Sequence, residues 1–355
     1  NRFSPKIQAS VIGKYNNVNT TGSDISEIIS FGGGSGGFGV SRGGAGGGSS
    51  GFITTGIGGF NLGYELKKKQ NLNADYFYND NNTDSGNVFT KRTEFIGTDE
   101  LYSESASNSG SSTKSHRANV NFIDRSDALK YLSVRGRFRS SKTEGSSAST
   151  FEGYTTSNVK DVENTSTSNS TNEGNSGAIS LDYNKRFKES SKRSIEIELD
   201  VDFANSTSFS GNSATKVYTD ALKPTEVTSS TKNQEDKDHQ IDLEIEYTEP
   251  INDKNYIEFG AGVTLANTDQ FTDQSQLLNG TTNTASTFEA TLFEDRKTTY
   301  GSIDYRFDNK KTSLRIGTDF QEQIQDFGLV DAADFNRKYT SVNPSVRFRY
   351  RPKKG

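Results

Sequence analysis

Two groups of charged residues stand out by their period. Glu196, Glu198, Asp200 and Asp202 occupy alternate positions, and so do Asp242, Glu244 and Glu246. Alternation at period two puts every member of a group on one face of an extended strand. Carboxylates in such rows can line a polar passage, attract cations or hold basic partners. Arg135, Arg137 and Arg139 alternate in the same way, and Arg315, Arg347 and Arg349 fall in two further alternating stretches. Guanidinium groups offer forked donors to carboxylates and phosphates. For both sets the plainer reading is solvation of a wet wall, or pairing with each other and with a plug. That reading outweighs direct substrate binding.

Other candidate chemistry is sparse. His116 and His239 are the only histidines. A nucleophilic site needs a histidine oriented by a carboxylate beside an activated serine, and neither histidine has an evident partner of that kind. Asp80, Asn82, Asp84 and Gly86 resemble a calcium loop, but Lys91 stands where the bidentate glutamate belongs, so a turn is the better reading. The glycine run from Gly32 to Gly48 is followed by no Gly-Lys-Ser/Thr and has no strand–helix context for a phosphate cradle. Cysteine is absent, which excludes disulfides and thiolate metal sites. The net charge of −5 gives no reason to expect nucleic-acid binding. These residues predict no enzyme and no cofactor.

The elements that carry the charged rows are strands. Ile241, Leu243, Ile245 and Tyr247 alternate with Asp242, Glu244 and Glu246. After a turn at Pro250, Asn252 and Asp253, Ile257, Phe259, Ala261, Val263 and Leu265 alternate with polar or small residues. This is a hairpin with one apolar and one polar face. The pattern recurs along the chain and predicts twelve strands. Short turns, as at 67–71 and 308–312, alternate with long polar loops at 20–51, 83–115, 143–176, 207–238 and 269–296. An aromatic residue stands near the short-turn end of every second strand: Tyr64, Phe122, Tyr183, Tyr247, Tyr305 and Tyr350. Rings at one fixed height are what a membrane interface selects. Only 30% of the 355 residues are hydrophobic and the mean hydropathy is −0.79, as one-faced strands with polar loops require. No apolar run is long enough for a transmembrane helix. In lipid every backbone amide and carbonyl must be paired, so a spanning sheet has to close. The fold class expected is therefore all-β, an antiparallel transmembrane barrel with short periplasmic turns and long extracellular loops.

Particular stretches carry a family resemblance. Asn1-Arg2-Phe3 through Asn16-Asn17-Val18-Asn19, and Phe31-Gly32-Gly33-Gly34 to Gly51-Phe52-Ile53-Thr54-Thr55, resemble the start of the barrel in Bacteroidota TonB-dependent-receptor-like outer membrane proteins. Leu62-Gly63-Tyr64, Asn73 to Asn79 and Val342-Asn343-Pro344-Ser345-Val346 are similar as well. The resemblance implies a barrel of about 22 strands, an N-terminal plug and energy from the TonB complex. On that basis residues 1–355 are expected to be one barrel segment, without the plug and the C-terminal barrel half.

The expected function is import of a nutrient across the outer membrane, with the protein integral to that membrane. Its expected partners are outer-membrane lipid, a plug domain and the TonB complex. A second expectation is a structural scaffold barrel in a larger outer-membrane complex that binds surface lipoproteins. A secreted Gly/Ser/Thr-rich adhesin or solenoid ranks last, since it gives no reason for end-specific aromatics.

Overall fold

The computed structural model describes residues 2–350 apart from 4–5, 18–51, 97–98, 156, 158, 189–191, 279–284, 310 and 330–334. The Gly-rich segment at 20–51 lies outside the described residues. Among the described residues all regular structure is antiparallel β, in one 14-stranded sheet. The strands are β1 (Arg2–Phe3), β2 (Ile7–Asn16), β3 (Phe52–Lys67), β4 (Gln70–Asp84), β5 (Val88–Ile96), β6 (Asp99–Asp124), β7 (Lys130–Tyr154), β8 (Lys160–Arg186), β9 (Ser194–Tyr218), β10 (Glu226–Pro250), β11 (Asn255–Leu278), β12 (Ala285–Asp308), β13 (Thr312–Leu329) and β14 (Phe335–Tyr350). Each pairs with the next in sequence, except that β4 pairs with β6 and β5 pairs with β6 beside it. Among the described residues β14 pairs only with β13, and the sheet is open there.

The twelve expected strands are all present, joined by the short β1 and β5. The larger difference lies in the polar stretches. Most of 83–115, 143–176, 207–238 and 269–296 is strand, not loop. β7 and β9 run 25 residues and β8 runs 27. Ser, Thr and Asn on both faces leave no period to read, yet the backbone ladder does not depend on side chains. Ser149 and Ser166, paired in register, also join through their hydroxyls at 2.7 Å.

The short turns are set by local side chains. Asn252 Oδ1 accepts from the amides of Lys254 and Asn255, both at 3.0 Å. Asn309 Oδ1 accepts from the amides of Lys311 and Thr312 at 2.8 and 3.2 Å. Asp124 takes the amide of Ser126 at 2.8 Å. These are Asx turns, in which the side chain stands in for a backbone acceptor. Lys69, at φ 66°, closes the tight β3–β4 turn.

Burial is inverted relative to a water-soluble domain. Apart from Gly177 and Gly328, which the Phe203 and Phe293 rings cover on the other face, the buried described residues are Ala178, Tyr256, Ser133, Thr248, Glu258 and Asp304. Register puts all six on the face that carries the acidic and arginine rows. The opposite face exposes Val120, Ile179, Ile245, Phe259, Leu265, Ile303, Ile316, Phe320 and Val346. Side chains crowd each other on the inner side of a curved sheet, so the charged face is the inner one. The outer face is an exposed apolar surface, which in a membrane barrel meets lipid.

Candidate functional site: the charged inner wall

Strand register converts the alternating rows into rungs across the inner wall. One rung reads Arg137, Ala178, Asp202, Gln240, Ala266 and Arg296 from β7 to β12. The next toward the short turns is Arg135, Ser180, Asp200, Asp242, Thr264 and Thr298. Then come Ser133, Asp182, Glu198, Glu244, Gly262 and Tyr300. The fourth is Tyr131, Asn184, Glu196, Glu246, Gly260 and Ser302. The seven expected carboxylates thus share one patch, with Asp200 opposite Asp242, Glu198 opposite Glu244 and Glu196 opposite Glu246. Asp182 joins them.

Like charges directly opposite each other are unfavourable, and neighbours relieve part of the conflict. Arg135 donates to Asp182 at 2.8 Å, and Arg137 to Asp202 at 3.3 Å. The arginine row is therefore not a separate part of the wall but borders the acidic patch and pairs with it. The Arg137–Asp202 pair forms across β8 because Ala178 lies between them on the rung. Asn184 donates to Glu196 at 3.3 Å, and Gln240 to Asp242 at 2.6 Å. Glu198 and Asp200, at the centre, have no hydrogen-bond or ion-pair partner among the described residues. Tyr300 reaches over Gly262, where an added Cβ would overlap its ring.

Toward the short turns lies a tighter cluster that sequence reasoning missed. Arg315 binds Asp304 through two donors, at 2.9 and 2.8 Å, and approaches Glu258 at 3.5 Å. Arg306 binds Glu258 at 2.5 Å. The Glu258 and Asp304 side chains are only 7% and 5% exposed, so each carboxylate is held by a guanidinium rather than by bulk water. Gly317 is a packing requirement, because a Cβ there would overlap the Asp304 carboxylate. Lys192 and Arg306 lie over the buried Tyr256 ring at 4.5 and 5.0 Å. Of the expected basic residues, Arg315 belongs to this cluster. Arg347 faces Arg315 across the β13–β14 ladder, and Arg349 faces Ser313.

Above the acidic rungs is a cleft of about 500 Å³ lined by Arg137, Arg139, Asp202, Asp238, Thr268 and Arg296, among others. Arg137 is paired with Asp202, and Thr268 donates to Asp238 at 2.8 Å. Arg139 and Arg296 have no partner among the described residues.

On the outer face the six aromatics Tyr64, Phe122, Tyr183, Tyr247, Tyr305 and Tyr350 share the apolar side, near the short turns. The Tyr305 hydroxyl donates to Asn255 at 2.6 Å, and Tyr247 donates to Glu249. At the other end of the apolar band, polar groups replace Ile241, Leu265 and Ile324: His239, Asn267, Asp295 and Asp326. His239 thus marks an edge of the band. His116 Nδ1 meets the Tyr76 hydroxyl at 2.7 Å, also on the outer face. Asn82 donates to Asp80 at 3.1 Å, and Asp84 takes the amide of Gly86, whose φ is +61°, at 2.8 Å.

Beyond the band, the inner face of β6 to β9 carries Ser, Thr, Asn, Gly and Ala over long stretches, whereas the charges lie on the outer face. At the far tip Lys91 binds Glu104 at 2.7 Å, and Lys160 bridges Glu152 and Glu163 at 2.7 and 2.5 Å. Tyr102 donates to Glu104, and Tyr154 to Glu152 at 2.6 Å. The bonds from Lys91 and then Tyr102 hold the Glu104 carboxyl below the usual range; those from Lys160 and then Tyr154 do the same for Glu152.

Residues 191–355, from the segment before β9 through β14, match the outer membrane protein beta-barrel family. With the all-antiparallel sheet and its exposed apolar face, this defines an integral outer-membrane protein of the β-barrel class. No curated protein matches the chain in sequence. Among solved structures it is similar to the outer membrane protease OmpT from Escherichia coli, at 8% identity over 79% of this chain and 96% of that one, with a TM-score of 0.23. The ferric citrate transporter FecA is 8% identical over 79% of this chain and 54% of its own, with a TM-score of 0.26. The toluene transporter TodX of P. putida is 7% identical over 98% and 89%, with a TM-score of 0.25. No cargo is carried over from these proteins.

Proposed function

We propose that the chain is the barrel wall of a transporter of the TonB-dependent receptor type, importing a nutrient across the outer membrane and performing no covalent chemistry. The supporting observation is the inner wall. Charges of both signs, including Glu198, Asp200, Arg139 and Arg296, face inward without partners among the described residues. A purely structural wall gains nothing from like charges set opposite each other, whereas a wet passage uses them to select solutes. The plug domain and the TonB complex are the partners this reading requires; outer-membrane lipid surrounds the outer face, and nucleic acid has no part.

A second reading has its own support. The far ends of β6 to β11 form a sheet polar on both faces, a surface suited to holding surface lipoproteins in a larger complex. One experiment separates the two. Cells lacking the gene are compared with wild type for depletion of small solutes from a mixed medium, with and without a proton uncoupler. Import predicts a solute class whose depletion is lost both in the deletion and in uncoupled wild type. Unchanged depletion with loss of lipoproteins from the surface establishes the scaffold instead.

A further inference from the structure

The cleft at Arg137, Arg139 and Arg296 sits one strand-step above the acidic rungs. This places two kinds of unsatisfied charge on neighbouring rungs of one wall. Arg139 and Arg296 have no partner among the described residues, and neither do Asp200 and Glu198. Successive inner-face positions on a strand are about 7 Å apart, so the rung of Arg296 lies one step above that of Asp200 and two above that of Glu198, with about 14 Å sideways from β12 to β9.

A solute with only negative charge would be held by the guanidiniums but repelled by the carboxylates below. A solute with only positive charge would meet the opposite conflict. Asp202 and Asp238, which share the cleft walls with the arginines, leave room in charge for a single anionic group. We propose that this cleft and the rungs beneath it form a binding station for a zwitterion. One carboxylate sits between Arg139 and Arg296, and one ammonium lies about 7–14 Å toward the short turns, against Asp200 and Glu198. Arginine suits the upper position because its planar fork binds a carboxylate through two donors. The ammonium is a compact point charge that two neighbouring carboxylates can share.

The station deepens the import reading by naming a substrate class, and it rests on that reading only for its place in a passage. The test uses the full protein purified in detergent and three probes of one length: ε-aminocaproate, which carries both charges, caproate, which carries the anion, and hexylamine, which carries the cation. Calorimetric titration should show the zwitterion binding about tenfold or more tighter than either single-charge probe, the size of one charge-assisted hydrogen bond. Replacing Arg139→Gln and Arg296→Gln together should lower ε-aminocaproate binding to the hexylamine level. Replacing Asp200→Asn and Glu198→Gln should lower it to the caproate level. Lys297→Gln, on the outer face, should change nothing. The mobility of unheated protein on a gel reports folding of each variant; if the double arginine variant does not assemble, Arg296→Lys, which keeps the charge and loses the fork, should still weaken caproate more than hexylamine.

Equal binding of the three probes overturns the proposal, as does a folded double arginine variant that binds ε-aminocaproate like wild type. Titration needs no energy source. Loss of the import reading therefore leaves the station standing, and failure of the station leaves import open for another solute class.

Discussion

Two adjacent residues on β10 should respond oppositely to a new positive charge. Leu243 faces outward on a rung with Leu181, Leu199 and Val263. It lies four residues from the Tyr247 ring and four from His239, where the apolar band ends. Four residues span about 13 Å of strand, and with strands tilted about 40° that is about 10 Å of height to either side. Leu243 is therefore near the midplane, where an arginine on the lipid face costs about 2–4 kcal/mol. Glu244, one residue on, faces Glu198 across the ladder. Glu244→Lys turns a like-charge pair into an opposite-charge pair, a gain of about 0.2–1 kcal/mol. Leu243→Arg and Glu244→Lys should thus differ by about 2–5 kcal/mol. The measurement is urea-dependent folding into lipid vesicles. The chain has no tryptophan, so one introduced at Ile245 reports transfer into lipid without background. Similar penalties for the two variants would refute the assignment of faces.

Protease added to intact cells should cut at Leu222, which is 91% exposed in the turn at 219–225, and spare the β3–β4 turn; cleavage mapped by mass spectrometry at Lys68 or Lys69 would reverse the topology. Gly317→Ala should displace Asp304 from Arg315 and cost about 1–3 kcal/mol in thermal or urea unfolding, with Ser345→Ala beside it nearly neutral. Replacing Glu198, Asp200, Glu244 and Glu246 together with Gln or Asn should leave assembly intact, since it removes repulsion, while weakening plug docking or passage of a solute that carries an ammonium group; loss of assembly with transport retained would make the patch a folding feature. Acidification should loosen the far tip first. The Glu104 and Glu152 carboxyls titrate below their unfolded values, so their contribution is present above about pH 4.3 and is lost as pH falls through the lowered values. Hydrogen exchange at the paired ends of β6, β7 and β8 should accelerate in that acid range, before exchange at Leu199 or Val263.

Where the wall has one apolar face, the sequence is easily read. Ile241 to Tyr247 and Ile257 to Leu265 fix strand, face and partner together, because a one-residue slip would turn every apolar side chain inward. The same period placed all seven carboxylates on the inner face. Reading failed where that constraint lapses. From Ser140 to Thr150 and from Thr165 to Asn175 both faces are polar, so no period distinguishes a strand from a loop, and β5 is hidden in a similar stretch. The Arg137–Asp202 pair was missed for another reason: it skips a strand and depends on the small side chain of Ala178 between them. Counting register outward from the short turns would have put Arg137, Ala178 and Asp202 on one rung. Glu258 and Asp304 gave no signal as single acidic residues in otherwise ordinary alternation. Gly262 and Gly317 are gaps over which Tyr300 and Asp304 lie.

The length of β8 has a consequence outside the membrane. A tilted strand crosses the hydrocarbon in about 9–11 residues, and β8 has 27. About sixteen remain, enough to lift the turns that join β7 to β8 and β9 to β10 roughly 40 Å off the lipid. The protein stands above the cell surface as a parapet. A phage fibre or an antibody arriving from outside meets Leu222 and its neighbours well before it meets the membrane.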